Sequence, residues 1–214
     1  MNEDNMGRQN DNIRRFDNAA RSWDDKPRRL KLGMEVSGGI LNSIPLSGNE
    51  QALEFGCGTG LVGLEVAPHV GRLTMVDSSA EMIAVLTENA AERGVSNVVP
   101  ICRELARLED LPGGYDLIFT SMVLHHIEDV PALLSLFTAW CAPGGRLAIA
   151  DLEAEDGTFH SDMTGVMHKG FDRNELASLI ESAGFTIEHI GTVHEVVRGN
   201  GRTYPMFLIV GRKV

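Results

Sequence analysis

No apolar run in this 214-residue chain approaches the length of a membrane-spanning helix, so no membrane partner is expected. The start, Met1-Asn2-Glu3-Asp4-Asn5, lacks the basic and apolar regions of a signal peptide, and a cytoplasmic location is the expectation. Cysteine is scarce. Cys57, Cys102 and Cys141 are odd in number and show no metal-ligand spacing, so they read as reduced thiols and no bound metal is expected. Positive charge is also short: 19 Lys and Arg stand against 30 Asp and Glu, a formal net charge of −11. Binding a polyanion needs clustered lysine and arginine, which makes nucleic acid a poor partner. One stretch runs against the trend, because the first 33 residues hold eight Lys/Arg and only six Asp/Glu. Within it, Arg28-Arg29-Leu30-Lys31 could form a small basic patch, but such a run more often reads as a solvated helix face. Repeats and low-complexity tracts are absent, and the length suits about one domain with its own core.

What the chain does have is Glu54-Phe55-Gly56-Cys57-Gly58-Thr59-Gly60, closing the apolar run Ala52-Leu53. Glycines at alternate positions after a short strand build a turn too tight for side chains. Its backbone N–H groups can then lie flat against a ligand at the mouth of the next helix. Glu54 ahead of the turn disfavours a phosphate and suits a ligand with a free ammonium. Seventeen residues past Gly60, the apolar stretch 73–76 ends in Asp77, placed to accept hydrogen bonds from a ribose diol. A dinucleotide fold competes, since Gly58-Thr59-Gly60-Leu61-Val62-Gly63 matches G-x-G-x-x-G. Register opposes it: the strand stops at Phe55, the turn begins at Gly56, and the third position of the pattern then falls on Leu61.

Strands and helices alternate around this turn. After a polar, frayed start, residues 12–44 read as helical, with Phe16, Ala19, Ala20 and Trp23 on one face and a second helix opening at Pro27. Stretches 52–55, 73–76, 98–102, 115–121 and 146–150 read as strands, and 61–67 and 131–142 as helices. The capping box Ser78-Ser79-Ala80-Glu81 opens another helix, and Asp172-Arg173-Asn174-Glu175 one more. The last β-rich stretches, 185–190 and 206–210, predict an antiparallel hairpin at a sheet edge. The fold class expected is α/β: a Rossmann-like, doubly wound, mostly parallel seven-stranded sheet with a C-terminal antiparallel hairpin and an N-terminal helical cap.

The glycine turn with Glu54, the strand-end Asp77 and the terminal hairpin together resemble the class I S-adenosylmethionine-dependent methyltransferases. The likeness is carried by motifs over most of residues 50–150 and by architecture elsewhere. Thr120-Ser121-Met122-Val123-Leu124-His125-His126 is similar to the branch that includes quinone-biosynthesis and other small-molecule methyltransferases. The resemblance implies one domain over 1–214, with a helical cap at 12–44, a cofactor core at 45–150 and a substrate-side region at 151–214. It also implies that Glu54 orients the methionine end of S-adenosylmethionine, with Gly56, Cys57, Gly58, Thr59 and Gly60 beneath it. Asp77 would hold the ribose, Ser78 and Met82 would border the adenine, and Glu104 with Leu105 would meet the adenine amino group. Ser121 would pass beside the donated methyl, and Trp23 would pack near the methionine end or over the acceptor. Glu104 reads equally as part of a solvated turn, and Trp23 as the apolar anchor of its helix. No Asn-Pro-Pro-Tyr or Asp-Pro-Pro-Tyr is present, so methylation of bases or glutamine is not expected.

His125 and His126 could take a proton from a hydroxyl as the methyl arrives. Alternatively, the pair ties the loop to the following helix. Adjacent residues leaving a strand rarely face one pocket, so at least one of the two is expected to be structural. His126, farther from the strand, is the catalytic candidate. The acidic loop 151–160 invites a metal reading, but nothing in its spacing makes ligands converge. It serves better as a pocket wall, with Asp151 at a strand end and Phe159, His160, Met163, Met167, His168 and Phe171 in the long connection beyond. The function expected is methyl transfer to a small-molecule acceptor by in-line displacement, yielding S-adenosylhomocysteine. A cofactor-binding protein without turnover is the alternative, and an NAD-dependent oxidoreductase a distant third.

Overall fold

The computed structural model describes residues 3–103 and 111–214. One sheet runs in the order β3-β2-β1-β4-β5-β7-β6. Strands β1 (Gln51–Phe55), β2 (Arg72–Asp77), β3 (Val98–Cys102), β4 (Tyr115–Ser121) and β5 (Cys141–Leu152) pair in parallel. β7 (Thr203–Lys213) lies antiparallel between β5 and β6 (Phe185–Val197), the expected terminal hairpin. Central strands are near-continuous apolar runs because both faces are covered. Leu53, Leu73, Met75, Ile118, Phe119 and Ile149 are all fully buried. Helices α2 (Pro27–Ser43), α3 (Gly63–Val66) and α4 (Ala80–Glu92) contribute to one apolar cluster. Helices α5 (Val130–Trp140) and α6 (Arg173–Ser182) contribute to another. The fold is therefore the doubly wound one.

Strand order reverses at β1, with β2 on one side and β4 on the other. The chain leaves these neighbours in opposite directions, and a crevice opens beyond their carboxyl ends. The glycine turn sits there.

Four local expectations need correction. Helix α1 (Glu3–Ala19) starts well before residue 12; its opening residues are largely polar, so no apolar period announces them. The helix expected over 61–67 is one α-turn, Gly63–Val66, followed by a 3-10 turn over Ala67–His69 with Pro68 inside it. The cap of α4 is Ser79, not Ser78. Ser79 has the extended backbone a cap needs, and its hydroxyl accepts the Met82 N–H at 3.1 Å. Finally, β6 and β7 outrun the apolar stretches that signalled them, because half-exposed strand positions carry polar residues such as Thr186, Glu188 and Thr203. Asp172 caps α6 as expected, accepting from the N–H groups of Asn174 and Glu175. No helix among the described residues is long and apolar enough to cross a membrane.

Candidate active site

Gly56, Gly58 and Gly60 hold φ of 71°, 52° and 88°, a region that favours glycine. A Cβ on Gly56 would collide with Val123, and one on Gly60 with Leu86. At Gly58 it would meet no protein atom, because Gly58 borders a cavity of about 410 Å³. The turn is stitched to β2. Gly56 and Cys57 N–H donate to the Val76 carbonyl at 2.8 and 3.1 Å, and Gly58 N–H donates to Asp77 Oδ2 at 2.8 Å. Asp77 Oδ1 accepts the Ser79 N–H at 2.9 Å. Burial pushes the Asp77 carboxyl upward, while the N–H groups of Ser79, Gly58 and Ser78 pull it back. Each oxygen keeps further acceptor capacity.

Glu54 is buried, and its Oε2 has no partner. Burial drives its pKa well up, the nearby Asp77 charge adds to this, and the Gly63 N–H opposes it. A Cβ on Gly63 would run into the Glu54 carboxylate. The last glycine of the apparent dinucleotide pattern therefore makes room for an acid. The Cys57 thiol is pushed up by burial, Asp77 and Glu54, and stays neutral.

The structure brings most of the expected residues to one cavity. Glu54, Gly56, Cys57, Gly58, Thr59, Asp77, Ser78, Met82 and Ser121 line it, as do Trp23, His125 and His126. Gly60 does not; it packs against Leu64 and Leu86 instead. Glu104 and Leu105 lie outside the described residues. Among the described residues, six buried polar side-chain atoms lack a partner, and four belong to residues lining this cavity: Asn12 Oδ1, Glu54 Oε2, Ser121 Oγ and His160 Nε2.

Beyond β4, Met122 has φ 58°, the sole left-handed non-glycine among the described residues. This marks a turn held under strain at the cavity wall. The 3-10 turn Leu124–His126 follows. His125 Nδ1 lies 2.7 Å from Asp151 Oδ1, and both residues are buried. Burial alone would raise the Asp151 pKa. The His125 imidazole and the N–H groups of Leu152 and His125 outweigh it, and the net shift is downward. Asp151 thus backs His125 and does not line the cavity.

His126 Nδ1 sits 2.6 Å from the Gly165 carbonyl, so that nitrogen carries the proton. Burial and the neighbouring His125 push its pKa down to about 3, against the Gly165 bond. His160 is pushed to about 4 by burial, His125 and the charges of Arg15 and Arg198. The His125 carbonyl accepts the N–H groups of Met167 and His168 at 2.8 and 3.1 Å. The pair therefore anchors the connection after β5. Within that connection Phe159 and His160 line the cavity, but Met163, Met167, His168 and Phe171 do not. Its acids are engaged locally: Glu155 accepts three backbone N–H groups, Asp156 pairs with Arg202, and Glu153 pairs with Arg173. Among the described residues no cluster suited to a metal ion occurs.

Sequence reasoning weighed a basic patch at 28–31 as the lesser reading and did not place it at this cavity. Arg15, Lys26, Arg28, Arg29 and Arg198 all line it. The run at 28–31 is therefore not simply a solvated face: Arg28 and Arg29 border the cavity, and the Arg29 guanidinium stacks 3.4 Å over the Trp23 ring. The usable signal was the local excess of positive charge in the first 33 residues.

Over residues 18–190 the chain matches the methyltransferase domain family. It belongs to that family, within the class I S-adenosylmethionine-dependent methyltransferase superfamily. It is 28% identical over 150 residues to an uncharacterized methyltransferase of Schizosaccharomyces pombe, covering 63% of this chain and 52% of that protein. With a ubiquinone biosynthesis O-methyltransferase of Sodalis glossinidius it shares 27% identity over 151 residues, covering 65% of this chain and 58% of that protein. The chain thus spans little more than half the length of these relatives. In fold it resembles a SAM-dependent methyltransferase from Aquifex aeolicus, with a TM-score of 0.69 over 89% of this chain and 95% of that chain, at 22% identity.

Proposed function

We propose that the protein transfers a methyl group from S-adenosylmethionine to a small-molecule acceptor, both bound in the 410 Å³ cavity. The carrying observation is the convergence there of buried polar atoms without protein partners. Leaving such a group unpaired costs about 1–3 kcal/mol, so these atoms call for a ligand. The set fits the donor. Glu54 would receive its ammonium, Asp77 its ribose hydroxyls, and the space over Gly58 its body, with Ser78 and Met82 bordering the adenine. When bound, this donor supplies a methyl on a sulfonium, already activated for in-line displacement.

What remains for the chain is to orient the acceptor, exclude water and take a proton where the acceptor must lose one. Orientation alone contributes about 7–11 kcal/mol in favourable cases. With a pKa near 3, His126 is a feeble proton acceptor at neutral pH and serves as the loop anchor. His125 is the candidate base on geometry, because it lines the cavity and the Asp151 carboxylate behind it fixes the ring's orientation through Nδ1. The name of the ubiquinone-pathway relative supports a small-molecule acceptor.

Calorimetry with S-adenosylhomocysteine tests the reading. Wild-type protein should bind it, and Asp77→Ala should weaken binding by about 2–4 kcal/mol, through lost charge-assisted bonds and a loosened turn. Unchanged affinity in the variant, or tight binding of NAD by the wild type, would refute the donor assignment.

A further inference from the structure

The cavity is electrically lopsided. Its acids, the buried Glu54 and the half-buried Asp77, stand at the ends of β1 and β2. Lys26, Arg28 and Arg29 at the start of α2, and Arg198 just beyond β6, line the same cavity. These cations come from segments some 170 residues apart, yet they feel one another. Lys26 is lowered first by Arg29, then by burial, Arg28 and Arg198. Arg29 falls to about 10 through burial first and Arg28 next, and Arg198 falls through burial and Arg28.

Elsewhere this acidic chain pairs its arginines: Arg21 with Glu88, Arg93 with Glu65, Arg146 with Glu188 and Arg202 with Asp156. Among the described residues, no acid lies within ion-pair distance of Lys26, Arg28, Arg29 or Arg198. Asp24, the acid nearest in effect to Arg29, is engaged by the Thr59 hydroxyl at 2.6 Å and the Asn89 amide at 3.0 Å. Arg29 donates to the Trp23 carbonyl at 2.9 Å, and Arg198 lies 4.8 Å from the Phe159 ring centroid. Arg15, also on this wall, is already held by the Thr164 carbonyl and Asp162.

Like charges gathered without ion-pair partners repel, most strongly at the half-buried Arg29 and Arg198, and Asp24 offsets the charge of Arg29 only in part. The donor relieves this repulsion only in part: S-adenosylmethionine brings one carboxylate, enough to meet one of the four cations, and its sulfonium and ammonium add positive charge. We infer that the acceptor is an anion: a small molecule whose phosphate or carboxylate is held by Lys26, Arg28, Arg29 and Arg198, with its apolar body against Phe16, Trp23 and Phe159. Guanidinium forks suit either oxyanion. This rests on the donor assignment above, because it concerns the second ligand of that cavity.

The test is calorimetry at low salt on protein saturated with S-adenosylhomocysteine, titrated with phenyl phosphate, benzoate and neutral phenol. At least one anion should bind about 10-fold or more tightly than phenol, and the stronger of the two identifies the oxyanion. The double variant Arg28→Glu/Arg198→Glu should reduce that affinity to the level of phenol while changing S-adenosylhomocysteine affinity less than about 3-fold. Circular dichroism confirms that the variant remains folded. Equal binding of all three probes by the wild type would overturn the inference while leaving the donor assignment standing. So would a charge reversal that loosens S-adenosylhomocysteine instead of the anion, which would mean that the cations hold the donor's carboxylate. Failure of the wild type to bind S-adenosylhomocysteine at all would sink the donor assignment and this inference together.

Discussion

The proposed donor end of the cavity is made chiefly of backbone, and the proposed acceptor end chiefly of side chains. At the donor end, left-handed glycines and their N–H bonds to Val76 and Asp77 fix the geometry between neighbouring strands. At the acceptor end, α1, the start of α2, the connection after β5 and Arg198 bring together groups far apart in sequence. Arg15 reaches the Thr164 carbonyl, for instance, across 149 positions. A backbone-built site tolerates little change. A side-chain-built one can be respecified residue by residue while the other half stays intact. This separability is the physical reason one fold can serve many acceptors with one donor.

Asp151→Ala should break the acceptor end alone, with the largest effect on stability. Removing it leaves His125 and two backbone N–H groups buried without their acceptor. Losing one partner of a buried pair costs about 3–5 kcal/mol, measurable by urea unfolding. Donor affinity, read by calorimetry with S-adenosylhomocysteine, should survive. If it falls in step with stability, the two ends are not separable.

Acid should distinguish the ends by sign. Burial pushes His126 down to about 3 and His160 to about 4 in the fold, against an ordinary 6.5 when unfolded. Their contribution is fully present above pH 6.5 and is lost as pH falls toward those values, because the unfolded chain takes up protons first. Glu54 and Asp77 are shifted upward, so their contribution is present at low pH and lost as pH rises through their folded values. His126→Gln should therefore reduce proton uptake on unfolding at pH 5 by about one, flattening the acid limb by about 1.4 kcal/mol per pH unit. An unchanged slope would contradict the neutral, buried assignment of His126.

The glycine turn and its two strand-end acids were legible in the sequence because their signals are local. A glycine turn needs three residues in register, and Glu54 and Asp77 are marked by the strands they end. The sheet followed from apolar runs, and β4 matched its expected span, Tyr115–Ser121, because both its faces are buried. The acceptor end was harder to read, since its members meet only through folding. Asp151 looked like a wall residue and proves to lie behind His125. Arg28 and Arg29 looked solvated, because one helix period cannot reveal that Arg198 arrives opposite them. Helix α1 before residue 12 left no apolar periodicity to read, with Met6 its one large apolar residue.

The smallest expected effect divides the helical cap itself. Helix α2 is bound into the core through Val36 and Ile40, both fully buried. The α1 side is held mainly by polar links: Asp17 to Ser79, Arg21 to Glu88, and Asp24 to Thr59 and Asn89. Near it, among the described side chains, only Ala20 is fully buried, with Phe16 and Trp23 packed partly against Met82 and Val85. Polar links to water-accessible groups open at lower cost than a packed apolar face. Helix α1 is thus the part of the 12–44 segment expected to lift and admit ligands, with α2 expected to stay. Hydrogen exchange with and without S-adenosylhomocysteine should show amides of residues 12–24 slowed about 3- to 10-fold, roughly 1 kcal/mol, with residues 30–43 unaffected. Equal slowing in both segments would mean that the cap moves as one body. No slowing in either would make α1 as fixed as α2, and the acceptor would then have to enter from the side of the connection after β5.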